Sequence, residues 1–136
     1  MLIGYNALEI LDGITYQMAC TKLYLNGNTI WQTLNHISYW RELVTQRLVN
    51  MQGIEGQKTG FDEPEEITAV AWEQSKQRFQ QAYDQLKNAI LHLEESMLHT
   101  SAGDKGSYYF NITGCMQHDA FHLGQIILAK NSVLNR

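Results

Sequence analysis

The stretch from Asp62 to about His99 carries apolar side chains at intervals of three or four residues. These side chains are Ile67, Val70, Phe79, Tyr83, Leu86, Ile90, Leu93 and Met97, and Glu, Gln and Lys fill the positions between them. Because an α-helix turns once in about 3.6 residues, the spacing places them on one face and predicts a long amphipathic helix. Asp62, Pro64 in the first turn and the neighbouring acids indicate where that helix starts.

Three further segments have a helical pattern, and almost no stretch alternates apolar and polar residues as a strand does. They cover about residues 3–20, 29–51 and 112–131, and Gly4 and Gly13 weaken the first. Asn28 is expected to cap the second helix and Asn111 the fourth. The second helix has a core face made of Ile30, Leu34, Ile37, Val44 and Leu48. The chain is therefore expected to be an all-α four-helix protein.

The connections between these helices restrict how they can be arranged. The segment from Gln52 to Asp62 can span about 35 Å when extended, which is roughly the length of the second helix. The second and third helices can therefore lie parallel, joined by a crossover along the bundle. The short turn Asn26-Gly27-Asn28 makes the first and second helices antiparallel. The sequence permits this topology without proving it.

Length and charge bound the class of protein. The 136 residues suit a single domain, 1–136, and the formal net charge of −4 leaves no basic face for nucleic acid. No apolar run approaches the roughly 20 residues of a membrane helix. Gly4 and Asn6 interrupt the N-terminus, which does not resemble a signal peptide, so a cytoplasmic location is expected. Cys20 and Cys115 are then expected to be free thiols.

The histidines carry the functional information. His118 and His122 are four residues apart on the fourth helix, so both imidazoles leave the same face and can bind one ion. His36 lies at the inward edge of the second helix, beside Trp40. Three imidazoles that leave coordination positions open would form a reactive metal centre. The other interpretation, ordinary core or surface histidines that pack and find one partner each, stays open on spacing alone.

Other candidate ligands are less favoured. His118-Asp119-Ala120-Phe121-His122 is not a zinc-protease motif, because that motif needs Glu after the first histidine and a further ligand downstream. Cys115 is better explained as a buried inert thiol than as a ligand. Asp119 is expected on a neighbouring face of the helix, so no carboxylate partner for the histidines is evident. Gln125 and Trp40 are candidate residues of a substrate pocket.

Two groups of residues resemble a known family. Thr29-Ile30-Trp31, Leu34, His36, Ile37 and Trp40 resemble the second-helix signature of the DinB/YfiT-like family, and His118, His122 and Gly124-Gln125-Ile126 resemble its fourth-helix signature. The resemblance implies a four-helix bundle of up-down-down-up topology and a homodimer. It also implies that His36, His118 and His122 bind a divalent ion, usually nickel or zinc. The first helix looks short for the family, and a polar residue near the metal is expected to be missing.

Relatives in that family include thiol-dependent S-transferases and isomerases that use mycothiol, bacillithiol or glutathione. The functional hypothesis is therefore a metal-dependent enzyme that activates a thiol, or else water, against a small electrophilic substrate. A low-molecular-weight thiol would be the co-substrate. The alternative is a non-catalytic homodimer, stabilised by its metal, with a stress-response or binding role. Neither nucleic acid nor membrane is expected as a partner.

Overall fold

The computed structural model describes residues 7–51, 56 and 58–135, and these residues form an all-helical protein. The helices are α1 (Ala7–Leu11), α2 (Tyr16–Ala19), α3 (Ile30–Asn50), α4 (Ala69–His92) and α5 (Tyr108–Leu134). A short 3-10 helix, Glu95–Met97, follows α4. The described residues contain isolated β-bridges but no strand, which confirms the all-α prediction. None of the described helices is both long and apolar enough to cross a membrane.

The predicted first helix is wrong as a continuous element, and its first residues lie outside the described range. The chain instead forms α1 and α2, separated by a break at Gly13. Gly13 has φ +78°, a left-handed conformation that glycine adopts without steric cost and that ends a helix. The Thr15 side chain then caps α2 by accepting from the amide of Met18. The break leaves Leu11 and Ile14 buried, so the segment still contributes to the core.

Helix α3 confirms the predicted second helix almost residue for residue. Its N-cap is Thr29 and not Asn28, because Thr29 accepts from the amide of Gln32 while the Gln32 side chain accepts from the amide of Thr29. This reciprocal pair satisfies two amides that have no partner inside the helix. All the predicted core residues of this helix are buried: Ile30, Leu34, Ile37, Val44 and Leu48.

Helix α4 starts at Ala69, capped by Thr68, and the start predicted at Asp62 is wrong. The residues before it are drawn onto α3, where the side-chain amide of Asn35 donates to the backbone carbonyl of Asp62 at 2.9 Å. The segment from Asp62 to Thr68 therefore lies against α3 at its start and does not form the first turns of α4. Three residues of the predicted apolar face are exposed: Ile67 in this segment, and Val70 and Tyr83 in α4. The residues that α4 buries are Trp72, Phe79, Ala82 and Leu86.

Helix α5 begins earlier than predicted, at Tyr108, with Ser107 as its cap. Asn111 is therefore not a helix cap but a buried residue in the first turn. Its side-chain oxygen accepts from Arg47 of α3 at 3.0 Å, and its amide nitrogen donates to the carbonyl of Lys105 at 2.9 Å. Asn111, predicted to be a helix cap, thus connects α5 to α3 instead.

The pairing of side chains gives the relative directions of the long helices. Near the start of α3 the Trp31 indole donates to Ser75 of α4 at 2.8 Å, and farther along both helices Glu42 of α3 pairs with Arg78 of α4 at 2.8 Å. Both helices advance together, so α3 and α4 are parallel and are joined by a crossover.

Helix α5 runs the opposite way to α3. His36 in the first half of α3 meets His118, whereas Arg47 near the end of α3 meets Asn111 at the start of α5. The three long helices thus agree with the expected arrangement. The complete up-down-down-up order stays a prediction, because two short helices, α1 and α2, stand where the first long helix was expected.

Candidate metal centre

Helices α3 and α5 bring His36, His118 and His122 into one cluster. One ligand nitrogen from each ring lies within 4.8 Å of the others. The Nε2 atoms of His36 and His118 are 2.7 Å apart, and the ring centroids of His118 and His122 are 4.5 Å apart. The antiparallel packing of α3 and α5 causes this meeting, because the four-residue spacing on α5 turns both of its histidines toward His36.

Hydrogen bonds at the outer nitrogens orient two of the rings. The Nδ1 atom of His36 donates to the backbone carbonyl of Thr59 in the crossover. The Nδ1 atom of His122 lies 2.8 Å from the amide oxygen of Gln125, one turn later on α5. Because both partners are acceptors, each Nδ1 carries the proton and each Nε2 has an available lone pair. A neutral ring held in this tautomer is ready to bind a metal ion through Nε2.

His118 has a different environment. Its Nδ1 atom is buried without a hydrogen-bond partner among the described residues, and so is Oδ1 of Asp119. The two atoms are 3.9 Å apart. No carboxylate partner for the histidines was evident from the sequence, but the Asp119 carboxylate lies beside His118 in the structure. The cause is Arg41 of α3, whose Nε donates to the other carboxylate oxygen of Asp119 at 2.6 Å and draws the side chain inward.

Burial favours the neutral form of the imidazoles. Loss of solvent, with a smaller effect of the nearby His118 and His122 rings, lowers the pKa of His36 to about 4 despite the hydrogen bond to Thr59. Burial also lowers the pKa of His122. Both rings are consequently uncharged at neutral pH, and an uncharged ring is the form that binds a cation.

An aromatic wall surrounds the cluster. Phe61 stacks on His36 with a centroid distance of 3.7 Å and an angle of 7° between the rings. The Trp40 ring lies 5.5 Å from His118, and the exposed Phe121 ring lies 5.1 Å from His122. These apolar rings exclude water from part of the cluster. The His118 side chain nevertheless keeps 25% of its surface exposed, so the cluster is reachable from solvent.

Sequence reasoning missed Phe61 and Thr59, both in the crossover. Both lie in the segment from Gln52 to Asp62, which was predicted only as a connection, and no local pattern shows that this connection returns over α3. The one local signal is Gly60, which is buried with φ +78° and packs against Tyr39. A buried glycine with positive φ indicates a connection whose path is tightly specified.

Of the remaining candidate residues, Cys115, His92 and His99 lie outside the cluster, and Gln125 and Trp40 border it. Cys115 is buried outside the cluster, and burial raises the pKa of its thiol to about 12, which agrees with an inert thiol. His92 is exposed and hydrogen-bonded to the carbonyl of Asn88, and His99 is exposed beside Tyr109. Gln125 contacts His122, and Trp40 borders the cluster with its Nε1 buried. Their role in a substrate pocket stays a prediction.

The donor set fits a divalent transition metal. Imidazole nitrogens suit zinc, nickel, copper and iron, and ligands of one such ion lie within about 2 Å of it. The spread of the three nitrogens requires only side-chain adjustment to meet that condition. The described residues can hold an ion with open positions for further ligands.

One family model, described as the DinB superfamily, matches residues 6–126. The match covers most of the chain and includes all three histidines of the cluster. No curated protein and no solved structure matches the chain.

Proposed function

The chain belongs to the DinB superfamily, and we propose that it is a metal-dependent enzyme that joins a low-molecular-weight thiol to a small electrophile. The observation that carries this proposal is the meeting of His36, His118 and His122 at a partly exposed position behind aromatic rings. Structural metal sites are normally closed by four protein ligands, whereas three ligands leave room for a reactant.

Zinc or nickel is the proposed ion, held by the three Nε2 atoms. When bound, it would supply a nucleophile at neutral pH by lowering the pKa of the thiol or water that joins it. Three neutral imidazoles suit that chemistry, because they leave the full charge of the ion to act on the reactant. Thr59 and Gln125 hold two of the rings in the required tautomer.

Activation of a thiol is supported more than activation of water. A thiol with a pKa of about 8.5 loses its proton readily, whereas hydrolysis usually needs a protein base to guide a water molecule. The acidic group that the described structure places beside the cluster is Asp119, and Arg41 already engages it. Apolar rings of Phe61, Trp40 and Phe121 suit an apolar electrophile more than a highly polar one. Hydrolysis is the second candidate reaction.

Turnover with purified protein tests the proposal. The protein loaded with zinc or nickel should consume bacillithiol or glutathione in the presence of chlorodinitrobenzene, with a rate that depends on the metal. Chelator-treated protein and the His122→Ala variant serve as controls and should be inactive. The His92→Ala variant, altered at an exposed histidine outside the cluster, should keep the full rate.

The competing function is that of a non-catalytic protein stabilised by its metal. Failure of turnover with every common thiol, together with a large metal-dependent rise in melting temperature, would favour this stress-response or binding role. The experiment distinguishes the two functions, because both require bound metal but only the enzyme consumes a thiol.

We further propose a homodimer formed through an exposed stripe of α5. The stripe consists of Phe110, Gly114, Gln117, Phe121, Gly124 and Leu128, which follow one another at intervals of four and three residues. That spacing is typical of the seam between two packed helices. A Cβ added at Gly114 or Gly124 would meet nothing within 4 Å, so a second helix can approach closely there. Phe110, Phe121 and Leu128 of this stripe are exposed, whereas Gly114 and Gly124 are half-buried.

A cytoplasmic location is proposed on the chemistry of the cysteines. Cys20 and Cys115 are free thiols, and free thiols persist in a reducing compartment. A thiol co-substrate would also be reduced there.

A further inference from the structure

Three buried polar atoms beside the cluster lack hydrogen-bond partners among the described residues: Nε1 of Trp40, Nδ1 of His118 and Oδ1 of Asp119. The last two lie 3.9 Å apart. Burying a polar atom without a partner is costly, so native proteins rarely retain such atoms without a reason. Here the two atoms are chemically complementary, since an imidazole N–H can donate to a carboxylate oxygen.

The protonation of the neighbouring rings explains why the two atoms do not bond. His36 uses its Nδ1 proton toward Thr59, so its Nε2 carries only a lone pair. The Nε2 atom of His118 is 2.7 Å from that lone pair. A contact this short is attractive only if His118 carries its proton on Nε2. In the neutral ring Nδ1 is then a bare lone pair, which a carboxylate oxygen repels.

Binding a metal ion through Nε2 of His118 requires the other tautomer. The proton has to leave Nε2 and occupy Nδ1, and the ring stays neutral in both forms. We propose that Asp119, fixed by Arg41, is the hydrogen-bond acceptor that stabilises the Nδ1–H tautomer of His118 for metal binding. The inference rests on the metal-binding part of the proposed function. It makes Asp119 a positioning residue that acts through His118.

Arg41 makes the carboxylate available in the correct orientation. Its Nε donates to Oδ2 of Asp119, and its Nη1 donates to the backbone carbonyl of Phe79 at 3.0 Å. Its guanidinium lies 4.2 Å from the centre of the Phe79 ring, and the side chain is only 2% exposed. With Oδ2 occupied and the side chain anchored between α3, α4 and α5, Oδ1 remains directed at His118. If the Arg41–Asp119 ion pair were purely structural, it would not explain why Oδ1 of Asp119 is buried beside His118 without a partner.

The Asp119→Asn variant tests the inference. Arg41 offers only donors, so the Asn carbonyl oxygen should turn to Arg41 and leave the NH2 group facing His118. That group donates to Nδ1 and stabilises the tautomer that cannot bind metal through Nε2. Zinc affinity, measured by competition with a chelating dye, should fall by about 10–100-fold, the usual effect of losing a hydrogen-bond partner of a metal ligand. The circular dichroism of the helices should be unchanged.

The matched control is Asn111→Ala. It removes another contact between an arginine of α3 and a side chain of α5, about two turns from His118. This variant should lose thermal stability and keep the zinc affinity of the unaltered protein. If Asp119→Asn binds zinc as tightly as Asn111→Ala does, the positioning role is refuted and the ion pair is structural.

Nitrogen-15 NMR of the imidazoles gives a readout that needs no variant. In the zinc-loaded protein, His118 should show a protonated Nδ1 and a metal-bound Nε2; in the metal-free protein the proton should be on Nε2. A zinc-loaded His118 bound through Nδ1 would overturn the inference while leaving the proposed function intact. Protein that takes up no zinc at all would overturn both.

Discussion

At the scale of residues, the centre depends on three imidazoles that come from two helices. Removing one ring leaves an ion with only two of its three protein ligands. We expect His36→Ala, His118→Ala and His122→Ala each to remove most bound metal while the helical content survives, because the apolar core is untouched. Metal per chain, measured by mass spectrometry after gel filtration, checks this. Unchanged occupancy in all three variants would exclude the centre.

Burial of His36 also predicts how the metal-free protein responds to acid. The pKa of this ring is about 4 in the folded protein and 6.5 in its ordinary state, so between these values the unfolded chain binds more protons. Stability should therefore decrease as pH falls from about 6.5 toward 4, by up to about 3 kcal/mol. Urea unfolding of metal-free protein at several pH values measures the slope.

The His36→Gln variant should reduce that slope, since its side chain does not titrate. His92→Gln, at an exposed histidine outside the cluster, is the control and should leave the slope unchanged. Equal slopes in the unaltered protein and His36→Gln would contradict the prediction.

Spacing predicted that His118 and His122 share one face and the family resemblance added His36, but neither predicted the groups that orient the rings. The i, i+4 pair is readable because both residues lie on one helix. Asp119 was missed as a neighbour of His118 because a helical wheel cannot include the pull of Arg41, which lies far away in the chain. Thr59 acts through its backbone carbonyl, for which no side-chain pattern exists.

At the scale of elements, the interiors of the three long helices were predictable, whereas the ends of α4 and α5 were not. The face of α3 was readable because the same side chains are buried in any bundle. The start of α4 was misread because Asp62 and Pro64 have the composition of a helix start. The contact between Asn35 and the carbonyl of Asp62 instead keeps this segment on α3. A tertiary contact of this kind overrides the local preference.

The crossover offers a test at this scale through Gly60. Its φ of +78° is strained for alanine, and an added Cβ would lie 2.5 Å from the Tyr39 ring. Gly60→Ala should destabilise the protein by about 1–3 kcal/mol and displace Thr59 and Phe61, which weakens zinc binding. Gly13→Ala is the control, because Gly13 has the same φ but open space around it. It should cost stability and leave zinc affinity unaltered; a similar loss of affinity in both variants would contradict the role of the crossover.

At the scale of the whole molecule, the exposed stripe of α5 predicts association. Leu128 is 73% exposed at the end of the stripe, and a charge there would be buried in a dimer without a partner. We expect light scattering of the unaltered protein to give twice the monomer mass, and Leu128→Glu to give the monomer mass. Leu91→Glu on α4, at a leucine 70% exposed, should not change the mass. A monomer in the unaltered protein would refute the proposed interface.

The histidine cluster is built from two kinds of backbone, the helices and the crossover that passes over it. The helices supply every proposed metal ligand. The crossover, which has no regular secondary structure there, supplies Thr59 and Phe61 beside the cluster. Irregular segments tolerate exchange, insertion and deletion more readily than packed helices do. Two chains with identical helices can thus differ in which molecules they accept, and Phe61 is the natural position at which to begin altering that choice.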